Sequence, residues 1–185
     1  MNIYDIAREA GVSITTVSRV LNGKDNVSPA TRQKVEAVLA LLQSCPDYFA
    51  LEGPAPTMER LDHDLANLPP RCLPSQKHYV ALWRGDKPEA VLDLVEGYPR
   101  ERTLFVGLFL VRGDLRRTGL GRRVMGALPA AADGAGFDRL RLGCLKNNEG
   151  GHAFWQAMGY TDLREGTLLE GGAPVWIMER LAEGK

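Results

Sequence analysis

Thr103-Leu104-Phe105-Val106-Gly107-Leu108-Phe109-Leu110-Val111, running at once into Arg112-Gly113-Asp114-Leu115-Arg116-Arg117-Thr118-Gly119-Leu120-Gly121-Arg122-Arg123, decides the architecture. The first nine residues are almost wholly apolar, which marks a central strand buried on both faces. The glycine- and arginine-rich stretch then leads into a run predicted to be helical to about Ala132, with Asp133-Gly134 ending it. Strand, glycine loop and helix in this order bring backbone N–H groups close to an anion, and the helix start adds partial positive charge. Arg116, Arg117, Arg122 and Arg123 add formal charge suited to a pyrophosphate or a 3′-phosphate. A lone Gly-x-Gly turn is weak evidence, because many such loops only reverse the chain. This one is neither a Walker loop nor a Gly-x-Gly-x-x-Gly dinucleotide fingerprint.

Working outward, strand-like runs occupy residues 79–83 and 90–95, joined by a turn at Arg84-Gly85-Asp86. A helix over 58–68 is bracketed by prolines. Downstream come a strand over 140–145, a helix over 148–158 and a last strand, Pro174–Leu181. Strands come first and then alternate with helices, which gives an α/β (α+β) sandwich.

Two spaced motifs lie on this frame. Arg116-x-x-Gly119-x-Gly121 follows the buried strand, and Asn148-x-x-Gly151-x-x-Phe154-Trp155-x-x-Met158-Gly159-Tyr160 follows the next one. Together they resemble the signatures of the GNAT acetyltransferase superfamily, over about residues 43–182. The resemblance implies a mixed, mostly antiparallel sheet flanked by helices, acetyl-CoA as co-substrate, no metal, and an amine of a small molecule or peptide as acceptor. It implies that Phe109, Leu110 and Val111 offer strand-edge backbone to pantetheine. Arg116, Arg117, Thr118, Gly119, Leu120, Gly121 and Arg122 would cradle the pyrophosphate, with Asn148 and Phe154 on the other side of the coenzyme arm.

Transfer also needs a base for the ammonium and an acid for the leaving thiolate. The family's usual acid is a Tyr at the position of Trp155, and Tyr160 stands where the family has a structural Phe. Tyr160 is therefore a catalytic candidate whose alternative reading is a core aromatic. Asp93 and Glu96 are the candidate bases, with Tyr98 nearby. Each also reads as a solvated strand-end carboxylate, and deprotonation through water needs no named residue.

At the N-terminus, Ile3, Ile6, Ala7 and Ala10 share one helix face, Gly11 supplies a turn, and Ser13 is placed to cap a second helix over 14–21. Ser28-Pro29 opens a third helix through Val35, Val38, Leu39 and Leu42. Two short helices joined by a glycine turn are a helix-turn-helix. The string Ile3 to Ser13, then Thr16-Val17-Ser18-Arg19-Val20-Leu21-Asn22 and Val27-Ser28, resembles the DNA-binding head of the lactose-repressor (LacI) family over about residues 1–42. That resemblance points Ile14, Thr15 and Arg19 at base edges, and gives Tyr4, Ser13, Thr16, Ser18 and Asn22 to phosphates. DNA is thus an expected partner. Residues 1–44 hold five basic groups (Arg8, Arg19, Lys24, Arg32, Lys34) against four acidic ones (Asp5, Glu9, Asp25, Glu36), so a single copy should bind weakly. The family's hinge helix and effector domain do not follow; Leu41-Leu42-Gln43-Ser44-Cys45-Pro46-Asp47-Tyr48 stands there instead.

The expected organisation is a helix-turn-helix head (1–42) and an acetyltransferase domain (43–185), with one helix over 28–43 serving both. No strand precedes that helix where an acetyltransferase would open with one. The vacated sheet edge is then left open, filled by another segment, or paired in a homodimer. Bulk properties agree with a soluble cytoplasmic protein: 44% hydrophobic, 25% charged, 23 basic against 23 acidic residues, no signal-like opening and no apolar run of membrane length. The three cysteines and three histidines fit neither a disulfide framework nor metal-ligand spacing. Two functions follow: an N-acetyltransferase carrying a head, or a transcription regulator whose acyltransferase fold is a dimeriser or acetyl-CoA sensor.

Overall fold

The computed structural model describes residues 13–16, 29–167 and 172–182. Among the described residues the sheet has seven strands: β1 (Ser13–Thr16), β2 (Lys77–Arg84), β3 (Lys87–Glu96), β4 (Thr103–Val111), β5 (Arg139–Leu145), β6 (Thr161–Thr167) and β7 (Pro174–Leu181). Their spatial order is β1-β2-β3-β4-β5-β7-β6. Helices α1 (Pro29–Gln43), α2 (Pro46–Glu52) and α3 (Met58–Ala66) precede β2, α4 (Leu120–Gly134) joins β4 to β5, and α5 (Glu149–Ala157) joins β5 to β6. Neighbouring strands are antiparallel except β4 and β5, whose parallel pairing needs the crossover that α4 supplies. This is the mixed, mostly antiparallel sheet flanked by helices that the motifs imply.

Side chains of successive strand residues point to opposite faces, so each strand feeds two cores. Tyr79, Ala81, Trp83 and Val91 face one side, under Val35, Val38, Leu41 and Leu42 of α1, Phe49 of α2, and Leu61 and Leu65 of α3. Val80, Leu82, Leu92, Leu104 and Leu142 face the other, under Leu120, Val124, Met125, Leu128 and Ala132 of α4. Each fully buried leucine contributes about 1.5–3 kcal/mol. The site lies where the sheet between these layers fails to close.

The expected helix over 28–43 forms as Pro29–Gln43, with the proline in the first turn, where its missing N–H leaves no bond unmade. The helix expected over 58–68 stops at Ala66; the Thr57 hydroxyl caps its start, accepting the Arg60 N–H at 3.2 Å. α2, β6 and, near the N-terminus, β1 go beyond the sequence expectations. β6 (Thr161-Asp162-Leu163-Arg164-Glu165-Gly166-Thr167) lacks apolar alternation and is fixed by pairing with β7.

One expectation is overturned. Ser13 is not a helix cap, and Ile14, Thr15 and Thr16 do not open a recognition helix: Ser13–Thr16 is extended and pairs antiparallel with β2, Ser13 opposite Trp83 and Thr16 opposite Val80. Ile-Thr-Thr is β-branched throughout, which suits a strand. The edge of β2 presents unpaired N–H and C=O groups that such a segment satisfies. Of the three fates open to that edge, filling by another segment is the one realised. The remaining positions read as DNA contacts (Tyr4, Ser18, Arg19, Asn22) lie outside the described residues. Among the described residues no helix is long and apolar enough to cross a membrane.

Candidate active site

β4 and β5 pair only from Thr103 opposite Arg139 to Val106 opposite Leu142. Beyond that the strands part, and the cause is visible in the neighbouring ladder. Asp93 faces Leu108 while Leu94 faces Val106, so Gly107 is the extra residue of a bulge. A bulge bends its strand and sharpens the local twist, turning residues 107–111 away from 143–145. The gap opens into a cavity of about 740 Å3.

One end of this cavity is built for an anion. Arg117 (φ 63°) and Gly119 (φ 87°) are both left-handed, just ahead of α4. Such turns gather successive amides into a concave nest. The first amides of a helix lack intrahelical partners; in α4 the Arg123 N–H closes back on the Gly119 carbonyl at 3.0 Å. Thr118 braces the loop, its hydroxyl donating to the Leu115 carbonyl at 2.7 Å. Arg112 is held by Asp114 at 2.7 Å, and Arg116 by Asp47, whose carboxyl this guanidinium holds below the usual range. Arg117 and Arg122 line the cavity directly.

Of the residues read as coenzyme contacts, Phe109, Leu110, Val111, Arg116, Arg117, Gly119, Gly121, Arg122, Asn148 and Phe154 line the cavity. Thr118 and Leu120 do not. The Thr118 hydroxyl is turned to Leu115, and Leu120 is buried in the core, so either could meet a ligand only through its backbone. A Cβ on Gly121 would lie 3.6 Å from both Phe109 and Phe154, whose rings stack at 6.3 Å. The Asn148 side chain caps α5, accepting the Gly151 N–H at 2.9 Å.

The proton-handling candidates fare differently. Asp93 is buried outside the cavity lining, its Oδ2 held by Lys77 Nζ at 2.9 Å and its Oδ1 without a hydrogen-bond partner among the described residues. Burial pushes its carboxyl up, with Lys77 opposing. Glu96 ends β3 beside His78, Oε1 to Nε2 3.0 Å, away from the cavity lining. Tyr160 is a core aromatic at 2% exposure, packed edge-on behind Trp155 with ring centroids 5.3 Å apart. Burial pushes its phenol up.

α2 brings Tyr48 and Glu52 to the cavity wall. The Tyr48 hydroxyl lies 3.5 Å from Glu52 Oε1, and Arg60 reaches Glu52 Oε2 at 2.5 Å. Burial raises the Glu52 carboxyl, Arg60 opposes, and Asp64 adds to the rise. Burial, with the Glu52 charge, pushes the Tyr48 phenol up, which keeps its proton on. Cys144, on the β5 lip, is pushed up to about 11 by burial and so stays a thiol. The sequence held one signal for α2: Pro46 followed by Asp47, the composition of a helix first turn.

Residues 36–160 match the family model described as Acetyltransferase (GNAT) family. The chain belongs to the GNAT acetyltransferase family. Its N-terminal residues 2–47 match the model of bacterial regulatory proteins, lacI family. This GNAT member resembles an acetyltransferase from Thermus thermophilus, with 30% identity, a TM-score of 0.64, and coverage of 80% of this chain and 91% of the other. An aminoglycoside 6′-N-acetyltransferase solved in complex with coenzyme A shares the fold at 13% identity, TM-score 0.60, over 94% and 98% of the two chains. The head resembles an HTH-type transcriptional regulator of Lachnoclostridium phytofermentans, 56% identical over 50 residues. That match spans 27% of this chain and 15% of the regulator. The residues matched by the GNAT model include the strands and loop that build the cavity.

Proposed function

We propose that the chain transfers the acetyl group of acetyl-CoA to an amine in the β4–β5 cavity. The observation that carries this reading is the joining of two ends in one space: an arginine-glycine nest for a pyrophosphate, and a Tyr48–Glu52 pair beyond the parted strands. Between them, the free edge of residues 107–111 offers backbone groups to the amides of a pantetheine arm. The coenzyme A complex of the aminoglycoside acetyltransferase supports the same ligand for this fold.

Glu52 takes a proton from the substrate ammonium, and the amine nitrogen attacks the thioester carbonyl carbon. As the tetrahedral adduct collapses, the C–S bond breaks and the thiolate takes the Tyr48 proton. Glu52 returns its proton to the phenolate across their 3.5 Å contact. The second ammonium proton goes to water, leaving an acetamide, coenzyme A thiol and one proton. General acid and base groups of this kind contribute about 10²- to 10⁴-fold. A thiol at Cys144 that keeps its proton supports direct transfer over an acetyl-cysteine intermediate.

Calorimetric titration with acetyl-CoA tests the binding premise. Arg116→Glu breaks the contact to Asp47 and places a carboxylate beside the nest, and affinity should fall about 10- to 100-fold, the loss of one or two charge-assisted hydrogen bonds. Absence of binding to the native chain, or an unchanged affinity in Arg116→Glu, would reject the assigned loop. Release of coenzyme A thiol in the presence of spermidine, a lysine peptide and an aminoglycoside then tests turnover.

A further inference from the structure

The two family matches overlap over residues 36–47, and Ser13–Thr16 lies inside the lacI-family match while paired into the acetyltransferase sheet. We propose that the DNA-reading head and the complete acetyltransferase sheet are alternative uses of the same residues, so that acetyl-CoA, by holding the sheet form, releases DNA. This rests on the acetyl-CoA reading above and adds to it a regulated DNA-binding activity.

Three observations carry the exclusion. The first is the backbone of Ser13–Thr16. A head of the repressor type needs Ser13 as a helix cap and residues 14–16 as the first turn of its recognition helix. Here the same four residues are extended along β2. A residue cannot occupy both regions of backbone space at once.

The second is the apolar face of α1. In the head, the third helix closes a small bundle with Val35, Val38 and Leu42. In the sheet form those side chains are at most 2% exposed, packed with Tyr79, Ala81, Trp83 and Val91. One helix face cannot cover a sheet and close a bundle together.

The third is the route to the coenzyme. The end of α1 is fastened to the loop that follows β4: the Gly113 N–H donates to Ser44 Oγ at 3.0 Å, the Cys45 thiol donates to the Val111 carbonyl at 3.4 Å, and Asp47 pairs with Arg116. A Cβ on Gly113 would overlap the Ser44 carbonyl oxygen, so the approach is close. A ligand that orders residues 111–121 therefore fixes the C-terminal end of α1, and with it the helix face that the head requires. Such coupling is reciprocal: DNA must weaken acetyl-CoA binding by the same factor as acetyl-CoA weakens DNA binding.

The test uses the full chain and a fluorescein-labelled duplex of about 30 base pairs at about 50 mM salt, where phosphate contacts alone support binding. Titrating acetyl-CoA into the protein–DNA complex should lower DNA affinity about 5- to 150-fold, the usual range of such couplings. DNA affinity that stays constant while calorimetry registers acetyl-CoA binding overturns the proposal. A second variant works without acetyl-CoA. Thr15 and Ala81 are directly opposed across β1 and β2, a spacing that a disulfide can bridge. Thr15→Cys with Ala81→Cys, in a Cys72→Ser background because Cys72 is not buried, should lose DNA binding when oxidised and regain it on reduction. Equal DNA binding by both redox forms, or no DNA binding by any reduced form, overturns the proposal. If acetyl-CoA alone fails to bind, the acetyl-CoA reading falls while the disulfide comparison still decides the exclusion.

Discussion

The Asp93 carboxylate occupies the space in which a side chain at position 107 would begin: a Cβ on Gly107 would lie 2.9 Å from Asp93 Oδ2. That contact links the buried ion pair with Lys77 to the bulge that parts β4 from β5. Gly107→Ala must push the carboxylate off Lys77 or straighten the strand. We expect a loss of about 1–3 kcal/mol in urea unfolding, the usual effect of overpacking a tight interior. Combining it with Asp93→Ala should recover part of that loss, a coupling readable in a double-mutant cycle. Strict additivity would show that the two residues do not share the space.

Asp93 also sets a pH dependence. Burial raises its folded carboxyl above the ordinary 3.8, against the opposing pull of Lys77. A raised acid favours the folded state below the unfolded value, and that advantage is lost as pH rises through the folded value. The native chain should therefore lose stability relative to Asp93→Asn as pH climbs upward from about 4. Parallel stability curves for the two proteins between acid and neutral pH would contradict this.

The Tyr48–Glu52 assignment predicts a split between binding and turnover. Glu52→Gln should lower kcat about 100-fold or more while leaving acetyl-CoA affinity within about twofold. Tyr48→Phe should act on kcat in the same direction. Arg60→Ala removes the positive neighbour of Glu52, so the acid limb of the kcat/KM profile should move to higher pH. A limb that stays fixed in Arg60→Ala assigns the titration to another group.

Gly113 gives the simplest structural test of the fastening between α1 and the loop that follows β4. Gly113→Ala collides with backbone at Ser44, which cannot swing aside as a flexible side chain can. Both the melting temperature and acetyl-CoA affinity should fall. Ser44→Ala, which removes the acceptor for the Gly113 N–H and the hydroxyl that donates to the Leu41 carbonyl at 2.6 Å, should cost about 1–2 kcal/mol in the melt. Unchanged melting in both variants would show that the contact is not needed.

The cavity-lining loop proposed to hold the coenzyme was legible because its pattern is local. Arg116-x-x-Gly119-x-Gly121 directly follows its strand, and a nest needs only neighbouring residues to form. The α2 wall, proposed to handle protons, was not, because α2 reaches the cavity from far upstream in the chain and carries no spaced motif; Tyr48 meets β4 and β5 only through the fold. Asp93 and Glu96 were reasonable from strand position, yet a ladder register cannot be read from composition, and the Lys77 and His78 partners come from the register. The helical period at 14–21 was sound as periodicity. What overrode it over Ser13–Thr16 was a free edge elsewhere in the chain, which no local pattern announces.

The parted strands have a consequence for what selection preserves. β1–β4 and β5–β7 meet at only four ladder positions, from Thr103 opposite Arg139 to Val106 opposite Leu142. The opening proposed to admit acetyl-CoA is thus also the seam of the sheet, and an extended arm bound between its lips would stand in for a missing strand. On the proposed reading, a descendant that had lost acetyl transfer would still gain cohesion from a bound coenzyme. Arg116, Gly119 and Gly121 would then be maintained by selection for a folded chain, and their persistence in a lineage would record ligand-dependent integrity rather than chemistry.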